Sequence, residues 1–240
     1  MDIKIFNSAV DASLFVAEEI LKEIQRKPKC NLGVATGRTM DAVYFHFVKK
    51  SQLEDIDVSH VKIFALDEYI GLRQGSESSF EFYLRLHLIN QLNFSNENIN
   101  IPPSHMNNID IECAEYEKKI IESGNIDLQL LGIGTNGHIG LNEPGSSLDS
   151  RTRVVALTSS TIESNKSLFL KGEIPKTAAT MGVGTILESH KCILVATGET
   201  KAEIVQKLVN GDINSKIPAS AIKLHQNAIL VLDKEAAKLI

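Results

Sequence analysis

Short apolar runs rich in Val, Ile and Leu recur along the chain at Asn31–Thr36, Val61–Leu66, Ile126–Ile133, Arg153–Thr158, Cys192–Thr197 and Ala228–Leu232. None alternates strictly between polar and apolar residues. A strand wetted on one side alternates; a continuous apolar run suits a strand covered on both faces, as in a parallel sheet. Helix-period segments lie between the runs. Asn7 or Ser8 can cap a helix whose Val10, Leu14, Ala17, Leu21 and Ile24 share one face. Glu77–Leu92 carries Phe80, Leu84 and Leu88 at a spacing of four. Glu112–Ser123 stops at Gly124, a natural C-cap, and Glu199–Val209 stops at Asn210-Gly211. Alternation of this kind predicts an α/β chain: a single doubly wound, mostly parallel sheet with helices on both faces, Rossmann-like in type. No linker, low-complexity tract or charge block divides the 240 residues, so residues 1–240 are read as one domain.

The bulk numbers narrow the function. Hydrophobic residues make up 43% and charged residues 23%, both ordinary for a globular protein. A net charge of -5 with no cluster of Lys or Arg weighs against nucleic acid as a partner. No apolar run approaches the roughly 20 residues that span a bilayer, so no membrane partner is expected. Cys30, Cys113 and Cys192 lie far apart, without metal-ligand or CxxC spacing. That is reduced-compartment usage, and a cytoplasmic protein is expected. The N-terminus shows no charged-then-apolar signal layout.

In open parallel sheets, ligands bind beyond the carboxyl ends of the strands, and chemical residues follow strand ends in three places. The richest is the loop after Ile126–Leu131, Gly132-Ile-Gly134-Thr-Asn136-Gly137-His138-Ile-Gly140-Leu-Asn-Glu143-Pro-Gly145. Its glycines leave the backbone nearly bare, so a ligand can approach closely. His138 can move protons near neutral pH, Glu143 can orient its imidazole, and Asn136 supplies an amide to either His138 or the ligand. A lone histidine is usually structural, and His46, His60, His87, His105, His190 and His225 are expected to be so. Gly132-x-Gly134-x-x-Gly137 formally fits a dinucleotide fingerprint, but it runs into His138-Ile-Gly140 rather than a clear helix. No Gly-x-Ser-x-Gly elbow is present, which disfavours a serine hydrolase.

The second place is Thr36-Gly37-Arg38-Thr39, echoed by Thr197-Gly198-Glu199-Thr200 before Lys201; each is an Ala-Thr-Gly turn between a strand and a helix start. Free N–H groups, the positive helix end and the cations Arg38 and Lys201 together suit a phosphate. The plain alternative is that both cations face solvent. Neither turn is a Walker A loop. The third place is Leu66-Asp67-Glu68-Tyr69. Adjacent carboxylates at a half-buried strand end can raise one pKa into the range of a useful base; the alternative is a helix cap or a solvated turn.

The loop motif together with Asp67-Glu68-Tyr69 resembles the glucosamine-6-phosphate deaminase/isomerase family. The likeness runs almost end to end through Ala35-Thr36-Gly37, Ser150–Arg153, Met181–Leu187, Gly198-x-x-Lys201-Ala202 and Pro218-Ala219-Ser220. The related 6-phosphogluconolactonases share the Gly-x-Gly-x-x-Gly-His but lack the Asn-Glu-Pro, and carry Asp-Glu-Arg in place of Asp67-Glu68-Tyr69. The resemblance implies opening of an amino-sugar phosphate ring, proton transfer between C2 and C1, and imine hydrolysis to fructose 6-phosphate and ammonia. It makes Asp67 the enolising base and His138 the ring-opening group, with Glu143 and Asn136 completing its relay; some members carry Asp at the Asn136 position. It places the phosphate on Thr36, Gly37, Arg38, Thr39 and Lys201. The expected partner is a small-molecule hexosamine 6-phosphate, with no cofactor and no metal, and homo-oligomerisation is left open.

The chain departs from the family pattern in three places. An Arg that contacts phosphate in glucosamine enzymes falls at Ser167; Lys166, about 100° away on a helix, would not simply replace it. Loss of a bidentate Arg weakens phosphate binding by about a few kcal/mol, and Arg38, where many members have Gly, is expected to compensate. The chain stops at Ile240 without the longer tail of allosteric members, so control by an acetylated sugar phosphate is not expected. Arg73–Ser76 also differs from the usual loop. A galactosamine-6-phosphate enzyme giving tagatose 6-phosphate, a lactonase and a non-catalytic sugar-phosphate sensor are the alternatives.

Overall fold

The computed structural model describes residues 1–73, 75–105, 107–166, 169 and 175–240, with the backbone alone for Ser160 and Ser164. Seven strands form the main sheet: β1 (Asp2–Phe6), β2 (Asn31–Val34), β3 (Lys62–Ala65), β5 (Ile99–Asn100), β6 (Leu128–Gly132), β9 (Cys192–Ala196) and β10 (Ala228–Asp233). They lie in the order β1-β10-β9-β6-β2-β3-β5 and every pairing is parallel. The continuous apolar runs take the middle of this sheet. Every residue of β2, β9 and β10 is buried. β1 was hidden from the apolar-run criterion because it is an edge strand with exposed residues, Ile3 and Ile5 among them.

The helices are α1 (Ala9–Arg26), α2 (Arg38–Leu53), α3 (Phe80–His87), α4 (Ile109–Glu122), α5 (Ser159–Asn165), α6 (Val183–Leu187) and α7 (Ala202–Asn210). Ser8 caps α1 by accepting the Asp11 N–H at 3.1 Å. The expected Glu77–Leu92 helix is shorter. It starts at Phe80 and breaks at Leu88 into a short 3-10 turn.

The run at 153–158 leaves the parallel sheet. It becomes β7 (Arg153–Ala156), which with β4 (Asp67–Tyr69) and β8 (Thr177–Thr180) makes a small antiparallel sheet in the order β4-β8-β7. Its sequence is apolar because Val154 and Val155 pack on side clusters around Ala179 and Tyr69. In the main sheet the chain runs outward from β2 to β5 on one side. On the other it runs from β6 through β9 to β10. The direction reverses between β2 and β6, which is where an open α/β sheet leaves a crevice.

Candidate active site

A cleft of about 960 Å³ opens at that reversal. Its walls come from the loops after β2, β6 and β9, from Asp67 at the start of β4, and from α3 and α5. Thr36, Gly37, Arg38, Thr39, Asp67, Asn136, His138 and Lys201 all line it, and Glu143 joins through Asn136. Residues that are far apart in sequence meet because β9, β6 and β2 are neighbours. A second hollow, of about 640 Å³ over Gly145, Ser147, Leu148, Asp149 and Ser215, is open and has neither cation nor imidazole.

The two Ala-Thr-Gly turns are conformational twins. Gly37 has φ 106° and ψ 165°, and Gly198 has φ 86° and ψ 154°. Side chains with a Cβ rarely adopt such a φ. Gly37 begins α2, whose first N–H groups have no side-chain cap. The Gly198 N–H is taken by the Asp233 carboxylate at 3.0 Å, so the second turn offers Lys201 rather than its own amide. Lys201 Nζ donates to the Ile133 carbonyl at 2.8 Å, and its pKa is depressed, chiefly by burial and further by Arg38. Two cations that repel each other across a crevice, beside an uncapped helix start, form an electropositive cradle for an anion.

Asp67 is buried, 6% exposed, and its carboxyl is pushed up to about 8, first by burial and then by the charge of Glu68. The adjacent acids divide the work. Glu68 accepts the N–H groups of Tyr69 (2.8 Å), Phe80 (3.0 Å) and Glu81 (2.7 Å), and so caps α3, while Asp67 is left facing the cleft. Burial raises the Glu68 pKa against the pull of those N–H groups. The cap alternative therefore describes Glu68, and the base-like environment describes Asp67.

The His138 loop folds on itself. The Gly134 N–H donates to the His138 carbonyl at 3.0 Å and the Gly137 N–H to the Gly134 carbonyl at 2.9 Å. A short bridge, Ile139 to Asn142, follows instead of a helix, so the formal dinucleotide fingerprint has no helix to open. The imidazole lies directly on Gly134: a Cβ there would sit 2.3 Å from His138 Cε1. Asn136 Oδ1 accepts the His138 N–H at 3.1 Å, and Asn136 Nδ2 donates to Glu143 Oε2 at 2.8 Å. His138 Nδ1 stands 3.7 Å from that same oxygen, longer than a hydrogen bond, and is buried without a hydrogen-bond partner among the described residues. Thr158 Oγ1 donates to Glu143 Oε1 at 3.0 Å. Burial works to raise the Glu143 pKa, but His138, Thr161 and Asn136 outweigh it and hold the carboxyl down at about 2. Glu143 is therefore a fixed negative charge facing the inner imidazole nitrogen.

Several lining residues were missed by the sequence reading. His87, expected to be structural, lines the cleft, because the spacing of four on α3 stacks it on Tyr83 with ring centroids 4.4 Å apart. The Tyr83 hydroxyl donates to the Gly37 carbonyl at 3.1 Å and to Asp41, pinning α3 to the anion cradle. Thr158 and Thr161 carried no motif and emerge only through Glu143. Lys166 is exposed and 3.5 Å from Glu163, so it does not turn into the cleft. Ser167, and Gln74 within 73–76, lie outside the described residues. Among the described residues no group of His, Cys, Asp and Glu is arranged to hold a metal ion, and no helix is long and apolar enough to cross a membrane.

Residues 7–231 match the family model described as glucosamine-6-phosphate isomerases/6-phosphogluconolactonase. The chain is 43% identical over 238 residues to a protein of Clostridium botulinum (strain Langeland / NCTC 10281 / Type F) named glucosamine-6-phosphate deaminase, covering 99% of this chain and 98% of that one. A protein of the same name from Thermoanaerobacter sp. (strain X514) is 42% identical over 225 residues, 93% of this chain and 89% of that one. A solved structure described as a monomeric glucosamine-6-phosphate deaminase superposes with a TM-score of 0.97 at 36% identity, each chain covered in full.

Proposed function

The chain belongs to the glucosamine-6-phosphate isomerase/6-phosphogluconolactonase family, and we propose that within it the protein is an enzyme converting glucosamine 6-phosphate and water to fructose 6-phosphate and ammonia. The family includes lactonases, so membership alone does not choose the reaction. The two relatives named above, 42% and 43% identical, are both named for the glucosamine 6-phosphate deaminase reaction, which favours that activity. The observation that carries the reading is one cleft shared by a buried carboxyl pushed up to about 8, an imidazole backed by an ionised carboxylate, and the cations Arg38 and Lys201 beside a helix start.

The proposed mechanism assigns each part. The 6-phosphate rests on the start of α2 at Thr36–Thr39, between Arg38 and Lys201. This tethers the sugar without touching the reacting carbons. Closing the 3.7 Å gap lets the Glu143 carboxylate accept a hydrogen bond from His138 Nδ1–H, which fixes the tautomer and leaves Nε2 to exchange a proton with the ring oxygen and the C1 hydroxyl during opening. The open chain carries an aldehyde at C1, which acidifies the C2 hydrogen. Asp67, once ionised beside the substrate ammonium, removes that hydrogen and returns a proton to C1. The imine left at C2 adds water and expels ammonia. A base whose pKa lies near the working pH suits such a transfer in both directions. The ring-opening and enolising groups approach the sugar from different loops, which matches two proton transfers at different atoms.

All of residues 1–240 serve as one catalytic domain, a reading supported by a main core whose members run from Ala12 to Ala237. A cytoplasmic setting is supported by three free, buried cysteines. The test is to supply glucosamine 6-phosphate, galactosamine 6-phosphate and 6-phosphogluconolactone separately and follow ammonia and lactone. Ammonia from the first is expected; hydrolysis of the lactone alone, or ammonia from galactosamine 6-phosphate alone, overturns the assignment.

A further inference from the structure

We infer that the small antiparallel sheet is a clasp that fixes Asp67 against the His138 loop, with Thr180 and Asn142 as its positioning residues. The role assigned to the clasp rests on the reaction proposed above.

Thr180 on β8 pairs with Asp67 on β4 at one side and with Arg153 on β7 at the other. Directly opposed residues of antiparallel strands point to the same face. Asp67, Thr180 and Arg153 therefore form one cross-strand row, and the loop from His138 to Glu143 lies over it. The Leu141 N–H donates to Thr180 Oγ1 at 3.1 Å. The loop backbone sits so close that a Cβ on Gly140 would be 3.1 Å from Thr180 Oγ1 and 3.4 Å from Asp67 Oδ2. Two residues on, Asn142 is fully buried and uses its whole amide. Nδ2 donates to the Ile139 carbonyl at 2.9 Å and to the Met181 carbonyl at 2.8 Å, and Oδ1 accepts from Arg153 Nη1 at 2.9 Å. The Met181 N–H in turn donates to the Leu66 carbonyl at 2.7 Å, one residue before Asp67. The loop is thus tied through β8 to the strand that carries Asp67: the Thr180 tie lies within the small sheet, and the Asn142 tie ends on Leu66, whose N–H continues the main-sheet ladder by donating to the Val34 carbonyl at 3.0 Å.

The clasp has a kinetic consequence. The phosphate cradle stands on β2 and β9, in the other sheet, so ground-state tethering does not depend on Thr180. The relative placement of Asp67 and His138 does. A displacement of about 1 Å between groups that act on one substrate can cost about 10²-fold in rate. Thr180 is fully buried, so replacing its hydroxyl by a methyl leaves the Leu141 N–H without a partner and frees the loop to shift.

The experiment compares the wild type with Thr180→Val and Thr180→Ser, and with Asn142→Asp, which keeps the acceptor for Arg153 and removes both amide donors. Ammonia release from glucosamine 6-phosphate, calorimetric affinity for fructose 6-phosphate, and amide hydrogen exchange over residues 138–143 are measured. For Thr180→Val and Asn142→Asp we expect kcat to fall about 10- to 100-fold, affinity to stay within about threefold, and loop exchange to accelerate; Thr180→Ser should restore kcat to within about fivefold. Wild-type kcat in Thr180→Val, affinity falling in step with kcat, or a serine variant as slow as the valine variant overturns the inference. If Thr180→Val does not fold, Asn142→Asp decides by the same criteria. Unchanged exchange over 138–143 overturns the clasp whatever the reaction. A wild-type protein that releases no ammonia overturns the proposed reaction, and exchange still tests the clasp.

Discussion

Glu143 and His138 face each other at 3.7 Å across a gap that the Asn136 amide keeps open, because Asn136 Nδ2 already occupies the same carboxylate oxygen at 2.8 Å. The pair is poised for contact without making it. Glu143→Gln keeps the shape and removes the charge. It is expected to lower kcat about 10²-fold with KM little changed, as read from initial rates of ammonia release. The folded-state pKa of Glu143 lies below its ordinary 4.5, so the stabilisation it gives is present above about 4.5 and lost as pH falls towards 2. The glutamine variant should show a shallower loss of thermal stability across that acid window.

Asp67 has the opposite sign. Its folded pKa is raised from 3.8 to about 8, so its stabilisation is complete below about 3.8 and is lost as pH rises through 8. Asp67→Asn mimics the protonated form. Its Tm should therefore lose the decline the wild type shows between pH 4 and 8, and should exceed the wild-type Tm above pH 8. Ammonia release should fall by about 10³-fold or more while fructose 6-phosphate still binds. In the wild type, kcat/KM should climb as pH rises through about 8. Near-wild-type turnover in the variant would remove Asp67 from its assigned role.

In the proposed reaction Lys201 and Arg38, which both line the cleft, would hold phosphate in the ground state and the transition state alike. Lys201→Ala, and Arg38→Ala separately, are expected to raise KM about 10- to 100-fold with kcat within about threefold. Unphosphorylated glucosamine should bind these variants no more weakly than it binds the wild type. A large fall in kcat at constant KM would contradict the tether.

Gly134 is where the backbone makes room for the imidazole. Gly134→Ala puts a Cβ 2.3 Å from His138 Cε1 and 2.4 Å from Nε2, a distance no packing tolerates. The ring must swing away. The expected result is a fall in kcat of about 10²-fold, with inorganic phosphate still bound and the His138 ring resonances shifted in the NMR spectrum.

The class of fold and the residues at the three strand ends that line the cleft were legible from residue types and their order. Continuous apolar runs suit the doubly covered middle of a parallel sheet, and β2, β6, β9 and β10 sit there. The Ala-Thr-Gly echo marked two turns of the same conformation, because positive φ at Gly37 and Gly198 is a local requirement that residue type records. Tertiary structure decided what is set by contact between distant segments. It sent Arg153–Ala156 to a second sheet, since an apolar run does not specify its neighbours. It separated Asp67 from Glu68, which look equivalent in sequence, by giving Glu68 the N–H groups of α3 and leaving Asp67 in the cleft. It also brought Tyr83, His87 and Thr158 to the site, residues whose types are common and whose role depends on what stands opposite them. Backbone preference and burial pattern are written residue by residue, whereas the distance between two side chains from different strands exists only once the sheet has chosen its order.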